Sequence, residues 1–146
     1  MALLPYRNRE SAGRLLAAEL LKFELEGPVV YALPRGGVPV AVPIAEALGA
    51  PLDILLVRKI GAPRQPELAA ASIVDGEKPD IMLNHEIMRA AGLTEADINA
   101  AAKLHLAEIE RRRALYMPGR TAVAAQGRSA ILVDDGIATG ASMRAA

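Results

Sequence analysis

Two aspartates stand side by side at 134 and 135, directly after the aliphatic run Ile131-Leu132-Val133 and directly before Gly-Ile-Ala-Thr-Gly-Ala-Ser, residues 136–142. A short aliphatic run of this kind reads as a buried strand. In an open parallel α/β sheet, ligands gather beyond the carboxyl ends of the strands. The residues after the pair are small enough for backbone N–H groups to converge on an anion, and a helix opening at Gly140 would add the positive end of its dipole. Thr139 and Ser142 supply hydroxyl donors. Carboxylates beside such a nest repel a phosphate, so they must address something else. Sugar hydroxyls donate hydrogen bonds to carboxylates, and Mg²⁺ prefers oxygen ligands. The pattern therefore suits a ligand with a phosphate at one end and a diol beside it, such as a ribose 5-phosphate. A plain acidic turn with Gly136 and Gly140 as breakers accounts for each residue singly but not for their coincidence. No lysine follows Gly140, which excludes a Walker A loop, and no dinucleotide GxGxxG is present.

A second candidate is Arg35-Gly36-Gly37, which also follows a short apolar run. Glycines permit close backbone approach, and the Arg35 guanidinium is a planar fork suited to phosphate oxygens. Taken alone, this is an ordinary turn between strand and helix. A third is Arg58-Lys59 and the loop through Glu67, which carries Arg64; solvated loop charge is the plainer account of these cations.

Other chemistries find little support. His85-Glu86 is not followed by the HExxH spacing of a metalloprotease, and no GxSxG elbow exists. His105 falls on the apolar stripe of a long helix and reads as a packing residue. The basic run at Glu110–Leu115 favours a helix carboxyl end. Cysteine is absent, excluding disulfides and thiolate metal sites. Lys plus Arg equals Asp plus Glu at 17 each. That balance argues against nucleic acid or a membrane surface as partner. No apolar run approaches the roughly 18–20 residues of a membrane span, and the first ten residues meet charge too early for a signal peptide. A cytoplasmic protein is the expectation.

The elements that must position these residues follow from periodicity. Residues 7–27 read as an amphipathic helix with Ala12, Leu16, Leu20 and Phe23 on its buried stripe. Residues 28–33 form a strand, 34–37 a turn, 38–49 a helix closing at Gly49, and 51–57 a second strand. Strand, turn, helix, strand implies a right-handed βαβ unit and a parallel sheet. Near-continuous apolar strands fit a sheet covered on both faces. With two prolines, a glycine and three cations, 58–68 reads as a mobile loop. Strands at 69–76 and 79–84 then form an antiparallel hairpin on the sheet edge, so that 58–80 is a flexible loop and hairpin region. Residues 93–116 are the longest helix, with Thr94 and Asp97 as a variant capping box and Ile98, Ala101, Ala102, His105, Leu106 and Ile109 buried. Residues 129–133 are the last strand. With 52% hydrophobic but only 3% aromatic residues, the core is aliphatic, and residues 1–146 suit a single domain.

The stretch Asp134-Asp135-Gly-Ile-Ala-Thr-Gly-Ala-Ser resembles the phosphoribosyl-pyrophosphate signature of type I phosphoribosyltransferases, with Ser142 where threonine is usual. "YRNRESAGRLLA", "GGVPVAVPIAEALGAPLDILLVRKIGAP" and "PEL" are similar to a subgroup of incompletely characterised members, so the likeness runs over most of the chain. It implies a Rossmann-like parallel sheet flanked by helices. It also implies that Asp134 and Asp135 hold the ribose hydroxyls and that Ala138, Thr139, Gly140, Ala141 and Ser142 cradle the 5′-phosphate. Arg35, Gly36 and Gly37 resemble the pyrophosphate loop, which often carries a cis non-proline peptide, and Arg58 and Lys59 would neutralise the leaving pyrophosphate. Mg²⁺ would be held mainly by ligand oxygens, with Asp134 or Asp135 assisting.

The implied activity is Mg²⁺-dependent transfer of ribose 5-phosphate from phosphoribosyl pyrophosphate to a nucleobase-like acceptor, in a protein that commonly forms homodimers. A non-catalytic sensor of the same sugar pyrophosphate or of nucleotides is the alternative. Two positions depart from the pattern: Pro43 lies inside the second helix, and Ala71 stands where glycine is expected. Type I domains also continue past the phosphate loop, so the chain has the look of a truncated domain with one exposed sheet edge.

Overall fold

A computed structural model describes residues 6–75, 79–119, 122–136 and 141–146, the side chains of 141 and 142 excepted. In chain order the elements are α1 (Arg9–Leu20), β1 (Val29–Ala32), α2 (Gly37–Leu48), β2 (Leu52–Ile54), β3 (Val57–Ala62) and β4 (Gln65–Val74). They continue with β5 (Asp80–Leu83), α3 (His85–Ala91), α4 (Glu95–Tyr116), β6 (Ala130–Val133) and α5 (Ala141–Ala145). The chain divides into two compact units, one of residues 1–55 and 122–138, the other of 56–121 and 139–146.

The first unit is built on a parallel sheet in the order β2-β1-β6. Every residue of central β1 is buried, as its unbroken apolar sequence requires of a strand covered on both faces. Val30 and Ala32 pack with Val40, Ala41, Ile44 and Val133 into the core. Burying each of the larger aliphatic side chains contributes about 1.5–3 kcal/mol. The expected βαβ order is present: α2 ends at Gly49, which adopts φ 60° and caps the helix, and the chain then enters β2. α2 runs through Pro43 without a break.

The first helix differs from its sequence-based reading in length and in facing. α1 stops at Leu20, and its buried residues are Gly13 and Ala17. Phe23, placed by periodicity on the buried stripe, is 66% exposed and Leu16 is 39% exposed. The reason is close helix packing against α2. A Cβ at Gly13 would overlap the Val40 carbonyl and approach Pro43 Cγ at 3.0 Å, so the face with the smallest residues turns inward.

Two polar groups tie the approach to β6 onto this sheet. Tyr31 and Asp53 are opposite each other in the β1–β2 register. The Tyr31 hydroxyl donates to the Val123 carbonyl at 2.5 Å, and Asp53 Oδ2 accepts from the Val123 N–H at 2.8 Å. Asp53 Oδ1 accepts from the Ile54 N–H at 2.8 Å. This carboxylate is buried with its hydrogen bonds made, as a charge in an apolar layer must be.

The second unit holds an antiparallel sheet in the order β3-β4-β5. Residues 58–68, read from sequence as a mobile loop, are instead strand, tight turn and strand. Proline and glycine fit there because the ladder is irregular. The register shifts at Ile60, Gly61 and Ala62, and at Gly61 a Cβ would lie 2.7 Å from Pro66 Cα. Glycine thus admits the bulge that accommodates a proline within a strand. The expected hairpin of β4 and β5 is present, but in this separate sheet rather than on the edge of the parallel one. Ala71, the expected glycine, is buried opposite Ile60 and Leu83.

α3 is bounded by an Asn84 side-chain cap onto Ile87 N–H at 3.2 Å and by Gly92 at φ 68°. α4 has the predicted capping box between Thr94 and Asp97, and Ile98, Ala102 and Ile109 of the expected stripe are buried. Among the described residues, no helix is long and apolar enough to cross a membrane.

Candidate functional site

The site grows from the register of two strands. β1 and β6 are parallel neighbours, with Ala32 opposite Val133. The segments leaving their carboxyl ends therefore start side by side. Leu33 N–H donates to the Val133 carbonyl at 2.9 Å, continuing the ladder one step past β1. The chain then turns through the Pro34–Arg35 peptide, which is cis, matching the non-proline cis bond expected of this loop. Gly36 caps α2 and Gly37 is its first residue.

Gly37 is required by the backbone beside it, and Gly36 lies against a side-chain carboxylate. A Cβ at Gly37 would sit 2.5 Å from the Val133 carbonyl oxygen and 3.2 Å from Asp134 Cα. A Cβ at Gly36 would overlap the Asp135 carboxylate. Two stretches about a hundred residues apart in sequence, Arg35–Gly37 and Asp134–Asp135, are thus packed backbone against backbone and backbone against carboxylate. At Gly37, where the neighbour is backbone, only a residue without a side chain permits that approach.

The two carboxylates are held differently. Asp135 N–H donates to Asp134 Oδ1 at 2.8 Å. Asp135 Oδ2 accepts from Arg9 Nε at 3.0 Å and Nη2 at 2.7 Å. Arg9 is the first residue of α1, placed there by a helix that starts at the Asn8 cap on Ser11 N–H, 2.8 Å. Burial pushes the Asp134 carboxyl above the ordinary carboxylate range, and the Asp135 charge adds to the push. The Arg9 hydrogen bonds hold Asp135 below that range. Adjacent carboxyls are driven apart in acidity by unlike surroundings. Asp135 is the firmer anion, and Asp134 the more readily protonated of the two.

The other predicted residues fall as follows. Arg35 is exposed at the loop. Arg58 and Lys59 are consecutive on β3 of the second unit, opposite Ile73 and Ser72. Successive strand residues face opposite sides, so only one of them can serve a ligand on a given face. Arg64 is exposed in the turn between β3 and β4. Ala138, Thr139 and Gly140 lie outside the described residues; Ala141 and Ser142 begin α5. Sequence reasoning missed Arg9, which is 126 positions from its partner and has no local spacing to betray it. It also missed Asp53, although a lone aspartate in the apolar run "PLDILLV" signals an obligatory buried partner.

A parallel α/β layer in which a glycine-bearing turn and an acidic pair converge at adjacent strand ends defines the class of fold. More particularly, the chain belongs to the phosphoribosyl transferase domain family, whose model matches residues 2–146. A crystal structure of the protein TT1426 from Thermus thermophilus superimposes with a TM-score of 0.81 at 41% identity, covering 97% of this chain and 66% of that one. Two curated proteins of Mycobacterium tuberculosis are each 45% identical over 141 residues, or 97% of this chain. They are "Putative phosphoribosyl transferase MT0597" of strain CDC 1551 / Oshkosh and "Putative phosphoribosyl transferase Rv0571c" of strain ATCC 25618 / H37Rv. The chain spans 31% of the length of each.

Proposed function

We propose that this domain binds phosphoribosyl pyrophosphate with Mg²⁺ and transfers its ribose 5-phosphate to a nitrogenous, nucleobase-like acceptor. The bond from ribose C1 to the pyrophosphate oxygen breaks, and a bond from C1 to the acceptor nitrogen forms. Pyrophosphate leaves with the bonding electron pair, and the acceptor's proton passes to solvent. The observation that carries this reading is the convergence of Arg35–Gly37 with Asp134–Asp135 at the adjoining ends of β1 and β6.

Each group has a part in this reading. Asp135, kept anionic by Arg9, accepts hydrogen bonds from the ribose diol, with Asp134 beside it. The backbone around Gly36 and Gly37 and the Arg35 guanidinium take the pyrophosphate oxygens, and residues 138–142 take the 5′-phosphate. The acidic pair is a hard oxygen donor set, which fits Mg²⁺. When bound, Mg²⁺ supplies charge neutralisation to the pyrophosphate.

Calorimetric titration with phosphoribosyl pyrophosphate and Mg²⁺, run beside a pyrophosphate-release assay over a panel of bases, tests the reading. Binding with release for at least one base is expected, and combining Asp134→Asn with Asp135→Asn should abolish both. Binding without release for any base would favour a non-catalytic sensor on the same fold. Unchanged binding in the double variant would remove the basis of both readings. Sedimentation of the same protein would show whether it pairs as a homodimer.

A further inference from the structure

Two adjacent carboxylates beside a binding loop for a polyanion pose an electrostatic problem, because the ligand would be repelled by the residues meant to hold its sugar. The structure points to the group that solves it. Arg9 Nε and Nη2 both donate to Asp135 Oδ2, at 3.0 and 2.7 Å. The carboxylate so held lies where a Cβ of Gly36 would otherwise be. Arg9 therefore bears on the pyrophosphate-loop candidate through one carboxylate, from a stretch that shares the family likeness but carries none of the predicted site residues.

We propose that Arg9 is a positioning residue of this site. It fixes the Asp135 carboxylate against the Gly36 backbone and offsets one of the two negative charges, so that a sugar pyrophosphate can enter beside the pair. The proposal rests on the functional reading above and adds to it a requirement on the first residue of α1. Lysine would keep the charge there but lose the paired N–H geometry of guanidinium, so the two contributions can be separated. A half-exposed pair of this kind adds little to folding, so the fold tolerates its removal.

Full-length wild-type protein and the variants Arg9→Gln, Arg9→Lys, Asp135→Asn and Arg9→Gln with Asp135→Asn are compared by two measurements. The first is ¹H–¹⁵N spectra without ligand. Arg9→Gln should move the Gly36, Gly37 and Asp135 amide signals, and adding it to Asp135→Asn should change them little further, because the two side chains act as one unit. Unmoved Gly36 and Gly37 signals in Arg9→Gln overturn the proposal. So does an Arg9→Gln effect that persists undiminished in the Asp135→Asn background.

The second is calorimetric titration with phosphoribosyl pyrophosphate and Mg²⁺. Arg9→Gln should weaken binding about tenfold, with Arg9→Lys in between, the order expected for loss of charge and then of geometry. Equal or tighter binding in Arg9→Gln overturns the proposal, since Arg9 would then obstruct the site or stand apart from it. If wild-type protein binds no phosphoribosyl pyrophosphate, the functional reading fails, while the spectra still decide whether Arg9 positions Asp135 and Gly36.

Discussion

Asp75 and Asp134 leave their strands in nearly the same local sequence, Ile-Val-Asp-Gly and Leu-Val-Asp-Asp-Gly, yet they end in opposite circumstances. Asp75, after β4 of the second unit, is buried. Its Oδ1 accepts from Leu56 N–H at 2.7 Å and its Oδ2 from Arg113 Nε at 2.7 Å. Its own N–H donates to the Leu56 carbonyl at 3.0 Å. Both oxygens are spent on architecture. At the acidic pair after β6, the hydrogen bonds engage Asp134 Oδ1 and Asp135 Oδ2, and the two carboxyls are pushed to opposite sides of their ordinary range. A carboxylate saturated by the protein holds the fold together. One that is half-buried and less acidic than usual, as Asp134 is, is not committed to the fold in the same way.

The strongest way to break this contrast is at Arg113. Arg113→Met leaves the Asp75 charge buried without its guanidinium, and loss of one partner from such a pair costs about 3–5 kcal/mol. Urea denaturation measures it. A loss below about 1 kcal/mol, the range of exposed pairs, would erase the distinction.

Next in size is Gly37→Ala, whose added methyl would meet the Val133 carbonyl oxygen at 2.5 Å. Backbone must move to admit it, so a loss of about 1–3 kcal/mol is expected. Binding of phosphoribosyl pyrophosphate should fall at least tenfold, roughly the penalty of misplacing site groups by under an ångström. Full affinity would show that the close approach of the two loops is irrelevant to the ligand.

Asp134→Asn separates stability from function. Because the folded-state pKa is raised, the ionised carboxylate is disfavoured in the folded protein at neutral pH. That penalty is relieved as pH falls through the raised value. The asparagine variant should therefore unfold at the same temperature as wild type or higher at pH 7, while losing ligand binding. Asp135 has the opposite sign. Its lowered pKa contributes stability above the ordinary carboxylate value, lost as pH falls below it, so Asp135→Asn should not be stabilising. A lower melting temperature for Asp134→Asn would place Asp134 with Asp75 as an architectural residue.

The smallest expected effect concerns a fourth aspartate, on the solvent side. Asp97 Oδ2 accepts from the Thr94 N–H at 2.9 Å and the Thr94 hydroxyl at 3.0 Å, and the backbone hydrogen bond chiefly lowers its pKa. Thr94→Ala should cost about 1 kcal/mol, as for other helix caps. The capping contribution of Asp97 is fully present above the unfolded carboxylate value and should be lost as pH falls through the lowered folded value. Thermal melts of wild type and Asp97→Asn across acidic pH would show the difference narrowing.

How much of this was legible beforehand varies with the range of the interactions. α4 was readable because its cap, its stripe and its length are all local, and Thr94, Asp97, Ile98 and Ile109 behave as their spacing implied. The β1–α2–β2 succession was readable for the same reason. α1 was misread because periodicity weighs apolarity, whereas a helix crossing another at short distance selects small residues, here Gly13 and Ala17. Residues 58–68 were misread because proline, glycine and charge mark a loop only when no irregular ladder accommodates them; the bulge around Gly61 does so.

By itself the sequence determined the aliphatic strands, the helix caps and the order of elements. It also supplied the residues that carry the family likeness, because all of these depend on neighbours a few positions apart. Only the tertiary structure decided that Arg9 grips Asp135, that Gly36 yields its side-chain space to that same carboxylate, and that Asp75 is architectural. Those outcomes depend on which distant backbone or side chain arrives beside each group, and so on how far it is desolvated and which partner neutralises it.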